Sequence, residues 1–140
     1  RGSDERQYNS PGIDLKISSI FRTKYGEYPE YHTSLDNLND VVSAEGLNGG
    51  FEILKLAIET IENNIYPKIT VMCEPQLGKY DLYPSIGGPK ASKELRIMSN
   101  LISYSDGKHD LIDIADICDI PVWELYPIVK NLESKGLLVT

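Results

Sequence analysis

The chain has 140 residues, of which 41% are hydrophobic, so it is long enough for one globular domain or two small ones. Its net charge of −7 disfavours nonspecific attraction to nucleic acid or to anionic membranes. No apolar run approaches the length of a membrane span, and no signal-peptide pattern is present. The chain begins at Arg1 without an initiator methionine, and we expect it to be a fragment of a longer protein.

The first predicted element is a strand over Ile13–Arg22. It follows a polar stretch over residues 2–12 that ends in a turn signal. Its first half alternates apolar and polar residues, as a half-buried strand does. The apolar positions are Ile13, Leu15, Ile17, Ile20 and Phe21.

The loop over residues 24–36 carries the residues that best indicate a functional site. It lies at the end of the predicted strand, where α/β proteins usually build their sites. It contains His32, one of only two histidines, which could serve as a metal ligand, although a surface histidine is the commoner case. The loop tyrosines fit either a substrate cleft or the packing of rings against one another. They are Tyr25, Tyr28 and Tyr31.

A long amphipathic helix is predicted to follow, with Ser43 as its cap. Its apolar residues recur at alternating steps of four and three, which places them on one face. Gly49 and Gly50 each cost such a helix about 1 kcal/mol relative to alanine, so we expect either a later start or close packing of its backbone there. The apolar face consists of Leu47, Phe51, Leu54, Ile58, Ile61 and Ile65.

A proline- and glycine-rich stretch over residues 74–89 divides the chain. It predicts a linker or an extended arm, and we place the boundary at residue 87. The predicted domains are therefore residues 1–87 and 88–140. Cys73 and Cys118 show no paired spacing, so we expect buried, reduced thiols and a cytoplasmic protein.

Three short helices and a strand are predicted after the boundary, which is the order of a winged helix-turn-helix unit. Asp110 caps the second helix. Pro121 begins the third helix, Gly136 closes it, and Pro127 is expected to kink it. Residues 137–139 form the terminal strand.

The winged helix is expected to be a packing or interaction module that does not bind DNA. Residues 93–140 hold five basic and eight acidic residues, a net charge of −3, whereas a unit that binds a DNA groove normally has a basic surface. Trp123 and Tyr126 stand near the start of the third helix, where large amphipathic rings suit a protein contact. DNA binding is the alternative.

The chain resembles the closing segment of the di-zinc aminopeptidases, whose fold glutaminyl cyclases share. The shared features are Gly2-Ser3-Asp4, a strand that begins Gly-Ile-x-Leu, and Tyr31-His32-Thr33 followed by Asp36. The sequence departs from the family pattern at Glu5, Arg6 and Asp14. In these departures it is similar to a subgroup of aminopeptidase-like proteins that carry a C-terminal winged helix and are named in polysaccharide-biosynthesis contexts.

The resemblance implies roles for particular residues. His32 would be a zinc ligand, unless the metal site has decayed. Asp4 would line the substrate site or else act as a helix or turn cap. Glu5, Arg6 and Tyr31 would lie at the same substrate site. The family's other zinc ligands and its general base lie upstream of these motifs, so we expect no complete catalytic site in this chain.

The predicted fold class is therefore α/β: the C-terminal part of a zinc-exopeptidase-like sheet domain, followed by an all-α winged helix-turn-helix unit. The predicted function is part of a zinc-dependent aminopeptidase-like hydrolase that acts on an N-terminal peptide bond or a related amide. The expected partners are the remainder of the parent polypeptide and a peptide or small amide substrate, without nucleic acid or membrane. Homo-oligomerisation is left open. The alternatives are a DNA-binding regulator and a non-catalytic scaffold with a decayed peptidase fold.

Overall fold

The computed structural model describes residues 4–38, 40–83 and 89–140, with side chains from Lys93 onward in the last range. It divides into two compact units, Arg1–Ile58 and Glu59–Thr140. The described residues of both units together are mostly helical and form one two-stranded sheet. The predicted winged helix is present, whereas the described residues do not show the predicted exopeptidase-type sheet.

The first unit contains α1 (Asp4–Tyr8) and most of α2 (Ala44–Glu62), joined by a long irregular segment. Ser43 is the predicted cap of α2: its Oγ accepts a hydrogen bond from the Gly46 N–H at 3.0 Å, which satisfies one of the free donors of a helix N-terminus. Neither helix buries a residue. The predicted apolar face is 51–72% exposed at Leu47, Phe51, Leu54, Ile58 and Ile61.

The strand predicted for Ile13–Arg22 is not formed among the described residues. The backbone over residues 14–20 is irregular. Asp14 and Lys16 have φ angles of 45° and 53°, which interrupt the pleat that the alternating apolar residues had suggested. A strand also needs a neighbour to bond its backbone, and the only sheet in the described chain lies elsewhere. Its apolar side chains are consequently 42–58% exposed.

The second unit is a winged helix-turn-helix with one contiguous core. Its helices are α3 (Pro89–Tyr104), α4 (Leu111–Cys118) and α5 (Tyr126–Ser134). The apolar faces of these helices meet, as the sequence periodicity requires. The fully buried leucines and isoleucines are Leu101, Leu111, Ile114, Leu125, Leu132 and Leu137.

A small antiparallel sheet completes this unit. β1 (Lys68–Ile69) lies ahead of the three helices in sequence and pairs with the terminal β2 (Leu138–Val139). In this register Lys68 lies opposite Val139, and Ile69 lies opposite Leu138. An isolated bridge joins Lys68 to Asp106 as well. Because all three helices separate β1 from β2 in sequence, the two strands are not a hairpin.

The predicted caps of α4 and α5 are confirmed. Asp110 accepts a hydrogen bond from the Asp113 N–H at 2.9 Å, and the Asp113 side chain accepts one from the Asp110 N–H, which is a capping box. Gly136 has a φ of 68° and donates its N–H to the Glu133 carbonyl at 2.9 Å. Glycine adopts this left-handed conformation without strain, so the helix ends there.

The predicted kink at Pro127 is wrong. A 3₁₀ helix over Val122–Glu124 replaces the start of the predicted third helix, and α5 begins only at Tyr126. Pro127 therefore lies in the first turn of α5. A helix has no internal acceptor for the first N–H groups, so proline is tolerated there without a bend.

The arm that begins at residue 74 belongs to the second unit. Leu77 and Leu82 are 3% and 4% exposed and form part of its core. The division into units accordingly falls between Ile58 and Glu59, because β1 already pairs with β2. The expected boundary at residue 87 lies outside the described residues.

The two cysteines differ in exposure. Both are free; Cys118 is half-buried and packs against the core, but Cys73 is exposed, so the prediction of a buried thiol is wrong for Cys73. Cys73 has a φ of 65° and lies in an irregular segment.

Candidate functional site

His32 lies exposed on a turn of the first unit. Its φ is 61°, a left-handed conformation in which histidine is more frequent than most residues. Its ring stacks on Tyr31, with centroids 4.2 Å apart and planes at 18°. Thr33 braces the turn, since its Oγ1 donates to the Glu30 carbonyl at 2.7 Å and accepts from the Leu35 N–H at 3.2 Å. The imidazole is thus oriented by its neighbours and accessible to a ligand.

The loop tyrosines pack against one another beside this turn. Tyr31 lies 6.0 Å from Tyr25 and 5.7 Å from Tyr28, measured between ring centroids. The Tyr28 hydroxyl donates to Asp36 Oδ2 at 3.0 Å. Desolvation, followed by this bond to a carboxylate, raises the pKa of Tyr28. The rings therefore pack against one another, and Tyr28 also lines the cleft described next.

A cleft of about 480 Å³ lies in the first unit between the loop and the start of α2. Charged and hydroxyl side chains line it together with Val41, Val42, Gly46 and Leu47. The polar lining consists of Arg22, Thr23, Tyr28, Glu30, Asp40 and Ser43. His32 is not part of the lining, although Tyr31, on which it stacks, contacts Tyr28.

The other predicted site residues lie in different places. Asp4 is in the first turn of α1. Glu5 and Arg6 line a second cleft of about 440 Å³ together with Tyr25, and neither His32 nor Tyr31 lines it. Tyr31, a third predicted substrate residue, contacts His32 through the stacked rings.

The described residues do not fit a complete zinc site. A catalytic zinc needs about three protein ligands, and among the residues that the structure describes, no group of three or more His, Cys, Asp or Glu side chains could hold a metal ion. His32 offers one nitrogen. The described residues alone therefore cannot hold a catalytic metal ion.

Arg22 also lines the cleft, although the sequence placed it only at the end of the predicted strand. Its Nη1 lies 3.5 Å from the Glu45 carbonyl oxygen and would be 3.0 Å from a Cβ atom added at Gly49. The expected close packing is therefore present at Gly49, against the Arg22 side chain, but not at Gly50, where an added Cβ would meet no atom within 4 Å. Glycines inside an otherwise regular helix were the signal that pointed to this contact.

None of the helices in the described ranges has the length and apolar character needed to cross a membrane. This finding fits the apolar pattern of the sequence, in which no long hydrophobic run occurs.

Comparison with known proteins identifies relatives in Clostridium acetobutylicum. One, named "Putative polysaccharide biosynthesis protein with aminopeptidase-like domain", is 44% identical over 116 residues, which are 81% of this chain and 26% of that protein. A crystal structure of a "putative peptidase" from the same organism matches 99% of this chain at 36% identity with a TM-score of 0.83. The chain covers 30% of that structure, so it spans less than a third of either relative.

Two family matches meet at residue 64, close to the division between the two units. Residues 1–64 match a family described as a domain of unknown function (DUF4910). Residues 64–140, more than half of the chain, match the winged helix-turn-helix family. The matched range begins just before β1 and contains every helix and strand of the winged unit. The chain belongs to the winged helix-turn-helix family.

Proposed function

We propose that this chain is part of a peptidase-like hydrolase that cleaves an N-terminal peptide bond or a related amide. The likeness to the Clostridium acetobutylicum crystal structure carries the proposal, because it extends over 99% of the chain at 36% identity. The name of the other relative supports a parent protein that acts in polysaccharide biosynthesis. The winged helix would serve this parent as a packing or interaction module.

The first unit is suited to completing a larger domain. α2 buries none of its residues, and its apolar face and the segment over Ile13–Arg22 expose large hydrophobic side chains. Contiguous exposed apolar surface of this kind usually marks an interaction site. We infer that the remainder of the parent covers Phe51, Leu54, Ile58 and Ile61 of α2 together with residues 13–21, which would join a sheet there, and leaves the cleft at Arg22 open. The relatives, which are more than three times as long as the matched region, support this inference.

His32 is proposed as the contribution of this chain to a zinc site that other parts of the parent complete. Its exposed imidazole and its stacking on Tyr31 support the assignment. Zinc would lower the pKa of a bound water and polarise the scissile carbonyl. Tyr31 and, more distantly in sequence, Asp4, Glu5 and Arg6 are proposed to contact the substrate.

The test is a His32→Ala variant of the full-length parent, assayed for bound zinc and for release of the N-terminal residue from short peptides. We expect zinc to be lost and the rate to fall by at least about a hundredfold, since replacing an outer-shell partner of a metal ligand already costs 10–100-fold. His109→Ala, at the other histidine, is the matched control and should retain both. Full zinc content and activity in His32→Ala would contradict the proposed ligand.

A further inference from the structure

Arg22 lies in the cleft at the start of α2, next to two glycines of that helix. Gly46 and Gly49 face it: a Cβ atom would lie 3.8 Å from Nη1 at Gly46 and 3.0 Å from it at Gly49. A side chain at residue 49 would therefore require the guanidinium to shift by a few tenths of an ångström. Each glycine costs α2 about 1 kcal/mol relative to alanine. The close approach of Arg22 is a physical reason for glycine at residue 49.

The guanidinium retains hydrogen-bonding capacity in the cleft. Arginine has five N–H donors, and the bond from Nη1 to the Glu45 carbonyl is long, at 3.5 Å. Among the described residues Arg22 forms no ion pair shorter than 4.0 Å. Hydrogen bonds from the Glu45 backbone and Ser43 lower the pKa of the Glu45 carboxyl, and the charge of Arg22 adds to this effect. A planar carboxylate is the group that such a fork of donors binds best, through two parallel hydrogen bonds.

The rest of the lining limits which carboxylate would be accepted. Glu30 and Asp40 also line the cleft, so its three charged side chains sum to −1. A simple anion would be repelled by this lining, whereas a zwitterion could place its ammonium group near the carboxylates and its own carboxylate on Arg22. Short peptides with free termini have these two groups.

We propose that Arg22 is a specificity-determining residue that binds the free C-terminal carboxylate of a short peptide in this cleft. The inference rests on the proposed peptidase-like function, because it takes the bound peptide to be the substrate of that activity. It narrows the substrate class to short peptides with both termini free. The Tyr31–Tyr28 ring contact connects the cleft to the turn that carries His32.

The test is a titration of the isotopically labelled, metal-free full-length parent with alanylalanine, followed through the amide resonance of Gly46, which lines the cleft. We expect a saturable shift at millimolar peptide. Alanylalanine amide and N-acetyl-alanylalanine each lack one charge and should bind roughly tenfold more weakly, a loss of about 1.4 kcal/mol. Equal binding of the amide and the free acid would overturn the assignment, as would the lack of a saturable shift.

Two pairs of variants test whether peptide binding depends on the Arg22 side chain and on its place beside α2. Arg22→Gln should bind roughly tenfold more weakly, whereas Lys24→Gln removes an exposed cation outside this cleft and should bind like the wild type. Gly49→Ala should weaken binding by displacing the guanidinium. Gly50→Ala makes the same change in helix propensity with no atom within 4 Å, and it should bind normally. If Arg22→Gln or Gly49→Ala binds as well as its control, the proposal fails.

Failure of this inference can be distinguished from failure of the proposed function. The titration measures binding and needs no catalysis, so it reports on the carboxylate site whether or not the parent releases an amino acid. Peptide binding by a parent that releases no amino acid would refute the peptidase proposal but retain the carboxylate site. Peptidase activity that is unaffected by Arg22→Gln would refute the carboxylate site alone.

Discussion

At the scale of the residue, one carboxylate holds the turn that precedes α4. Asp106 Oδ1 accepts hydrogen bonds from the backbone N–H groups of Lys108 at 2.8 Å and His109 at 3.1 Å. The same oxygen lies 3.1 Å from His109 Nδ1. These contacts, and first of all the bond from Lys108, lower the pKa of Asp106 from 3.8 to about 2. Hydrogen bonds to the ionised form favour it, which is the cause of the shift.

The first prediction is that Asp106 contributes stability in a defined pH range. Because its folded pKa is lower than its unfolded value, the contribution is full above pH 3.8 and is lost as the pH falls toward 2. The wild type should therefore melt at a higher temperature than Asp106→Ala at neutral pH, and the difference should vanish in strong acid. Melting curves followed by circular dichroism measure this. A difference that is the same at neutral and acid pH would contradict it.

At the scale of the element, the N-terminus of α4 is fixed by the segment that follows α2. Asn64 Nδ2 donates to Asp110 Oδ2 at 2.8 Å, and Asn64 Oδ1 accepts from the Ile112 N–H at 3.3 Å. The Ile65 carbonyl accepts from the Leu111 N–H at 3.0 Å. Residues far away in sequence therefore accept the hydrogen bonds of the first backbone N–H groups of α4, which have no acceptor inside the helix. The pKa of Asp110 is lowered, mainly by the Asp113 N–H and then by Asn64.

The second prediction follows from this arrangement. Asn64→Ala should lower the free energy of unfolding of the winged helix by about 1–2 kcal/mol, since it leaves partly buried polar groups without a partner. Asn63→Ala is the matched control, because the Asn63 side chain bonds only the Glu59 carbonyl one turn earlier and is exposed. Urea unfolding followed by Trp123 fluorescence measures both. Equal losses of unfolding free energy in the two variants would show that the contact between Asn64 and Asp110 does not stabilise the winged helix.

At the scale of the whole molecule, the features of the winged unit that bear on DNA binding are its charge and its strands. Residues 93–140 carry a net charge of −3. β1 precedes the helices, so the described residues contain no hairpin wing between β1 and β2. Trp123 is 47% exposed beside α5, where a large ring suits a protein contact.

The third prediction is that the winged helix does not bind DNA. Titration of the chain with mixed-sequence duplex DNA at low salt should give no affinity tighter than about 100 μM, the weak end of the range for nonspecific binders. Low salt is the sensitive condition, because phosphate contacts are strongest there. Micromolar affinity that weakens steeply as salt is added would indicate phosphate neutralisation and would refute the prediction.

The sequence by itself determined the elements whose signals are local. The capping box at Asp110, the left-handed glycine at residue 136 and the periodicity of α2 each depend on a few neighbouring residues, and each was predicted where the structure has it. The winged helix-turn-helix followed from the same local signals. The glycines of α2 also indicated a close contact, but their spacing could not identify Arg22 as the residue that makes it.

Only the tertiary structure decided the features that depend on residues far apart in sequence. The segment over Ile13–Arg22 has the composition of a strand, but a strand is made by bonds to a neighbour, and the described residues supply no such neighbour. The arm has the composition of a linker, yet Leu77 and Leu82 are buried in the core that the three helices form. Local patterns specify the conformations that a segment can adopt, whereas long-range pairing and burial select which of them forms.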